Sequence, residues 1–467
     1  MYRRGVCCLP CGNRWPVVSA AEHSEGLRLG PACQEQSAPG SGGARSRPVP
    51  TGWRLVALIG TMSIFGPLCI DMYLPALPEL SSQLHAGASA TQLTLTACVV
   101  SIAAGQLVLG PISDRVGRRP PLLAGLAAFL ASSAACAIAP NIYVLTSFRL
   151  VQGLGGAAGI AISRSIVRDL HSGPALARFY ATLMLATGLG PVLAPQIGSW
   201  ILAVTSWRGV FAGLAVLGAV LLALVWWRVP ETLPPAARSS GSIWRALGAT
   251  AQVSRDRTFL GYALGCALAM GATFSYVAGS SFVLQNVYRL SPQTYGLVFA
   301  LTGCAMVAGA QLSARLAGRV SSAALLAAGL GTMTAGGVLL LAVVVTGAAG
   351  LAGVIPAVVM LMAGWGLVGP NALALGMQRY PQSAGAAAAV IGCLQFTVAA
   401  IAAPLPGIGG TADPLPMAIL VVAFPAVAIA TVLAVPARSA RAAVGAARSA
   451  AAGGMRADAP ESDPAPS

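Results

Sequence analysis

The run Gly110-Pro-Ile-Ser-Asp114-Arg115-Val-Gly117-Arg118-Arg119-Pro-Pro-Leu122 lies between two long apolar segments. Gly110 removes a side chain where two helices have to approach closely, and Gly117 admits the positive φ of a sharp turn. Asp114 can accept from the N–H groups of a facing helix end or from an arginine, a charge contact that breaks and re-forms. Arg115, Arg118 and Arg119 hold such a loop on the cytoplasmic side of a membrane. An ordinary basic loop would account for the arginines, but not for the order Asp-Arg-x-Gly-Arg-Arg after an apolar span.

The rest of the chain fits a membrane setting. Of 467 residues 56% are hydrophobic and only 9% are charged, against roughly 25% in a soluble protein. The formal net charge of +15 comes wholly from arginine, because no lysine occurs. A basic total can signal nucleic acid, so the positions of the arginines decide. They cluster in alternate short links between apolar runs, the positive-inside pattern, and they form no basic face suited to nucleic acid.

Apolar stretches occur at 54–74, 92–112, 121–139, 142–164, 179–203 and 207–227, and again at 258–284, 294–314, 322–346, 350–374, 384–405 and 414–435. Each is long enough to cross roughly 30 Å of hydrocarbon as a helix. The division between the third and fourth rests on Ala139-Pro140-Asn141 alone. Twelve is therefore the expected number of spans. The links after even-numbered spans and the two tails hold all the arginines but Arg149, Arg208 and Arg289, which places both termini in the cytoplasm.

Five regions follow: a disordered tail over 1–52, a six-helix half over 53–228, a cytoplasmic linker over 229–257, a second six-helix half over 258–436 and a disordered tail over 437–467. The first tail lacks the apolar core of a signal peptide and reads equally as a wrongly assigned start. An internal repeat supports the two halves, since Ser313-Ala-Arg315 stands 200 residues after Ser113-Asp-Arg115.

Two charges fall inside spans. Asp71 lies toward the outer half of span 1 and Arg149 about eight residues into span 4, at similar depths. Either is costly in hydrocarbon unless paired, so the two are expected to pair and to exchange a proton between conformations. The bland alternatives are a helix-end aspartate in interfacial water and a snorkelling arginine.

Five stretches carry a family resemblance. The opening run resembles the loop between the second and third helices of major facilitator transporters, G-x-x-[small]-D-R-x-G-R-[R/K]-x-x-L. Arg149-Leu-Val-Gln152-Gly153-Leu-Gly-Gly-Ala-Ala158 resembles the fourth-helix motif of drug/proton antiporters. Gly190-Pro191-Val-Leu-Ala-Pro195-Gln-Ile-Gly198-Ser-Trp resembles their fifth-helix motif, with Ala194 and Ser199 where glycine is usual. Ile70-Asp-Met-Tyr-Leu-Pro-Ala-Leu-Pro78 is similar to the first-helix signature of the bicyclomycin-resistance (Bcr/CflA) branch, and Glu231-Thr-Leu-Pro-Pro235 agrees with it.

The resemblance implies the all-α major facilitator fold, two six-helix bundles around a central cavity, in a bacterial inner membrane. It implies proton-coupled export of small amphipathic drugs of bicyclomycin, chloramphenicol or sulfonamide type. Export of a specific metabolite such as an amino acid or sugar stays open as the alternative. Proton coupling falls to Asp71 and Arg149, and the cytoplasmic gate to Gly110, Asp114, Arg115, Gly117, Arg118 and Arg119. Tyr73, Gln106, Gln152, Tyr276, Phe282, Gln285 and Gln395 are the expected cavity residues, aromatics and amides that suit neutral amphipathic ligands. The partners are then the drug or metabolite, protons and the bilayer, and the protein is expected to act as a monomer.

No cofactor is expected, the proton gradient being the energy source, since no nucleotide-binding P-loop occurs. Cys7-Cys8-Leu-Pro-Cys11 has no second ligand pair at zinc spacing, so no metal site is expected. The three histidines, His23, His85 and His171, all lie outside the spans, which argues against an enzyme.

Overall fold

A computed structural model describes residues 53–170, 173–238, 253–380 and 384–434. The two tails and the centre of the linker lie outside the described residues, with Cys7, Cys8 and Cys11 among them.

A helix stands for every apolar stretch: α1 Trp53–Asp71, then, after a short α2 (Leu77–Gln83), α3 Ala88–Val116, α4 Arg119–Ala137, α5 Ile142–Leu170, α6 Gly173–Val204 and α7 Trp207–Arg228. The second set is α8 Arg257–Phe282, α9 Pro292–Leu316, α10 Ser322–Thr346, α11 Gly350–Arg379, α12 Ala384–Ala402 and α13 Leu415–Ala434. Among the described residues ten helices are long and apolar enough to cross a membrane unaided. The α1 region makes an eleventh as a bent pair, Leu58–Gly66 and Leu68–Gln83, which meet at 45°. In α6 the described apolar part is Gly188–Val204. Several helices outrun the apolar stretches, since α3 and α5 each reach 29 residues and carry their polar ends out to the loops.

The helix starts have local causes. Pro140 cannot continue α4, and the Asn141 side chain accepts from Val144 N at 2.9 Å to cap α5. Asp256, Ser291 and Ser321 cap α8, α9 and α10 in the same way. A further interruption comes after Asp71, where a 3₁₀ turn over Leu74–Ala76 precedes α2. Pro75 has no N–H to give the Asp71 carbonyl, so the α1 ladder cannot run on, while Pro78 falls in the first turn of α2, where no N–H is needed.

Within the first half α3 packs on α5, α4 on α5 and α7, and α1 on α5 and α6. Within the second α10 packs on α11, α9 on α11 and α12 on α8. Glycines set the close approaches, and the repeat shows in them. A Cβ on Gly155 of α5 would stand 2.6 Å from the Gly125 carbonyl of α4, and one on Gly364 of α11 would stand 2.6 Å from the Gly329 carbonyl of α10. The ends of α3 and α9 repeat too, with Gly117 N donating to Ser113 O and Ala317 N to Ser313 O, each beside a glycine of positive φ, Gly117 and Gly318. Large apolar side chains such as Val216, Trp226 and Trp227 stay exposed, as lipid-facing surfaces require.

The halves meet through α6 on α9 and α3 on α12. Their hydrogen bonds gather at the end away from the arginine-rich loops. Ser281 Oγ donates to Leu74 O at 2.6 Å, Gln285 Nε2 to Pro75 O at 3.1 Å, and Gln92 Nε2 to Ala278 O at 3.0 Å. Ser89 and Thr96 donate to Pro404 O and Ala400 O, both at 3.0 Å. The turn after α1 thus supplies carbonyls that accept from Ser281 at the end of α8 and from Gln285 just beyond it.

Gly198 of α6 stands so close to the Met72 carbonyl that any Cβ there would collide with it. Gly198→Val is therefore expected to cost about 1–3 kcal/mol or more through overpacking. Around Gly110 nothing lies within 4 Å of an added Cβ, contrary to the close approach expected there. Thermal melting in detergent checks both: Gly198→Val melts lower, Gly110→Ala melts like the parent, and equal melting of all three contradicts this packing.

Candidate functional site

Two polar clusters occupy the first half, one buried mid-helix and one at the arginine-rich end.

The buried cluster centres on Arg149 of α5, which has no exposed surface. Its Nη1 donates to the Cys69 carbonyl at 2.9 Å and to Gln152 Oε1 at 2.5 Å, and its Nε to the Thr94 carbonyl at 3.4 Å. The guanidinium lies 4.3 Å from the centre of the Tyr73 ring and 5.7 Å from that of Phe211. Gln152 passes the chain of bonds to Ser133 Oγ at 2.8 Å, and Tyr73 shares a 2.9 Å bond with Thr94 Oγ1. One residue so ties α1, α3, α4 and α5 together. The side chain of Arg149 answers its cost with carbonyl dipoles, an amide and two aromatic faces.

The expected Arg149–Asp71 pair does not form. Cys69 near the end of α1 and Tyr73 just after it both meet Arg149, and Asp71 between them makes no ion pair with it. Asp71 is 7% exposed and lies just before the segment whose Leu74 and Pro75 carbonyls bond the second half. The Tyr295 hydroxyl shares a 3.1 Å bond with Ser280 Oγ. Gly198, through its contact at Met72, braces the chain next to Asp71. Of the other motif residues in α6, Pro191 and Pro195 lie inside the helix and Gly190 is buried.

The expected cavity residues divide. Tyr73 and Gln152 belong to the arginine cluster. Tyr276 is buried, stacked on Phe299 at 5.9 Å and bonded to Thr302, and Phe282 is buried as well. Gln285 belongs to the contact between the halves. Gln106 and Gln395 are the half-buried pair, and Gln395 Nε2 donates to Cys266 Sγ at 2.9 Å. An apolar groove between α4 and α7, lined by Leu123, Leu130, Leu222 and Trp226 among others, lies apart from all of these.

At the other cluster Arg118 bonds Asp114 at 2.5 Å and Asp169, at the end of α5, at 2.8 Å, while its side chain is only 3% exposed. Burial opposes the Arg118 charge, but the Asp169 and Asp114 carboxylates outweigh it and hold the guanidinium above its ordinary pKa. The Glu231 carboxylate caps α4. Its Oε1 accepts from Arg118 N at 2.8 Å and Leu233 N at 3.0 Å, and its Oε2 from Arg119 N at 3.2 Å. Gly117 has φ +104°, as its place in the run requires, and a Cβ there would press on Glu231 Oε2 at 2.5 Å. Arg119 lies 5.7 Å over the Trp226 ring and donates to Trp226 O, and Arg115 is exposed. Asp169, and the capping role of Glu231, escape a reading of the sequence because each sits among loop charges with nothing to mark its partner. Their distances from the run, 51 and 112–113 residues, are what folding removes.

Residues 59–404 match the family model for the Major Facilitator Superfamily. The chain is 38% identical over 368 residues to the uncharacterized MFS-type transporter YdgK of Bacillus subtilis, covering 78% of this chain and 91% of that one. It is 28% identical over 356 residues to the bicyclomycin resistance protein homolog of Haemophilus influenzae, covering 74% and 87%. Among solved structures it resembles a bacterial homolog to the human lysosomal transporter Spinster in an inward-facing and unoccupied conformation. The TM-score is 0.67 at 15% identity, over 84% of this chain and 97% of that one.

Proposed function

The chain belongs to the Major Facilitator Superfamily, a multi-pass membrane transporter, and from that premise we propose that it exports small amphipathic drugs in exchange for protons across a bacterial inner membrane. The observation that carries this reading is the placement of Asp71. It is a nearly buried carboxylate at the end of α1, braced by the α6 motif through Gly198 and close in sequence to the Leu74 and Pro75 carbonyls that bond the other half. A titratable group at the boundary between two moving halves is placed to feel both states of an alternating-access cycle.

In this reading the arginine-rich end is cytoplasmic, and the bonds of Leu74, Pro75 and Gln92 to the second half close the outer side. Arg149 is a positioning residue that holds α1 against α3 and α5. The drug lies between the halves beside Gln106, Gln395 and the exposed faces of the central helices. The resemblance to the Bcr/CflA branch and the similarity to a bicyclomycin resistance protein homolog favour a drug over a metabolite.

Drug sensitivity of a pump-deficient bacterial host tests the proposal. Expression should raise the inhibitory concentration of bicyclomycin, chloramphenicol or a sulfonamide, and a protonophore should raise drug accumulation back to the level of empty cells. Unchanged sensitivity across the panel, with the protein in the membrane, would contradict drug export and favour a metabolite cargo.

Arg118→Ala strips both carboxylates of their cation and leaves Asp114 and Asp169 repelling each other at the cytoplasmic loop. Export should fall about tenfold while the protein stays in the membrane. Glu231→Gln, which keeps one acceptor for the end of α4, should lose less. Export at the parental rate in Arg118→Ala would make the loop a topology signal only.

A further inference from the structure

Two thiols stand in contact inside the first half, and nothing in the transport reading uses them. Cys69 Sγ of α1 and Cys98 Sγ of α3 are 3.2 Å apart, and both residues are fully buried. Arg149 Nη1 lies 3.5 Å from Cys69 Sγ, a cation beside the thiol pair that favours the thiolate. Their position along the chain matters as much as their proximity. The α1 region bends by 45° between Gly66 and Leu68, so Cys69 is the second residue of the outer arm. A proline stands at that bend, where kinks and hinges form. The same arm carries Asp71, Tyr73 and the Leu74 and Pro75 carbonyls that reach the second half.

We propose that Cys69 and Cys98 form an oxidisable dithiol whose disulfide clamps the hinged outer arm of α1 to α3. The oxidant is a small membrane-permeant peroxide. One thiol, losing its proton, attacks a peroxide oxygen; the O–O bond breaks, one water leaves and a sulfenic acid remains. The second thiol attacks that sulfur and expels the hydroxyl as a second water. Two thiols and one hydrogen peroxide thus give one disulfide and two waters. A thiol reductant reverses the bond. With the arm tied, the carboxylate and the outer contacts cannot shift against α3, and transport slows. This consequence rests on the export reading, whereas the bond and the clamp do not.

The test uses the full chain in nanodiscs, treated with hydrogen peroxide and then alkylated. Peptide mass spectrometry should find residue 69 linked to residue 98, the link should vanish with dithiothreitol, and Cys69→Ser should not form it. Hydrogen exchange of the segment 68–83 should slow in the oxidised protein and recover on reduction, a readout independent of transport. In cells expressing the protein, peroxide should lower drug export about fivefold in the parent and leave Cys69→Ser unaffected. Absence of the 69–98 link, a dominant link to Cys136, or a link that leaves exchange and export unchanged would each overturn the proposal. If the reduced parent exports no drug while the link and the slowed exchange are found, the export reading fails and the dithiol stands.

Discussion

Arg149→Ala is expected to abolish transport, lowering export about a hundredfold or more while leaving protein in the membrane. The guanidinium serves the Cys69 and Thr94 carbonyls and Gln152 Oε1 at once, and it lies against the face of Tyr73. Alanine leaves these buried acceptors short of a donor, at about 1–3 kcal/mol for each group stranded. It also frees α1 from α3 and α5 at the level of Cys69, two residues before Asp71. Lysine keeps the charge but brings no planar fork and little stacking, so Arg149→Lys should recover only part of the activity. Drug efflux normalised to the amount of protein in the membrane measures both. Parental efflux in Arg149→Ala would show that the cluster is dispensable.

Asp71→Asn should have an equally large effect with a different signature. Asparagine matches the shape of aspartate but does not ionise. The variant should insert and fold normally, still exchange drug down its own gradient, and lose accumulation against a gradient about a hundredfold. Asp71→Glu, which restores the titratable group one methylene further out, should recover part of the coupling. An Asp71→Asn variant that lost binding and exchange together would place the residue in drug recognition.

The helices were legible because their apolar runs are long and their ends are marked, as at Pro140-Asn141 and Ser321. The repeat was legible at Ser113 and Ser313, and it reappears in the matched helix ends and glycine contacts. What the sequence concealed was direction. The cost of burying Arg149 and Asp71 argued for pairing, yet backbone carbonyls and aromatic faces also receive an arginine, and only the facing of α1 decides between them. Gln285 read as a cavity amide, and it grips the Pro75 carbonyl of the first half. Glu231 read as part of a signature; its capping of α4 depends on a contact 113 residues away in sequence.

The central claim, that drug movement is coupled to protons through Asp71, is tested most directly by proton flux in proteoliposomes loaded with a pH-sensitive dye. Drug added to one side should drive protons in the opposite sense through the parent protein, in proportion to drug moved. The Asp71→Asn protein, incorporated to the same level, should give drug-independent traces. Proton flux of parental size in Asp71→Asn, or drug transport by the parent with no accompanying proton movement, would contradict the account.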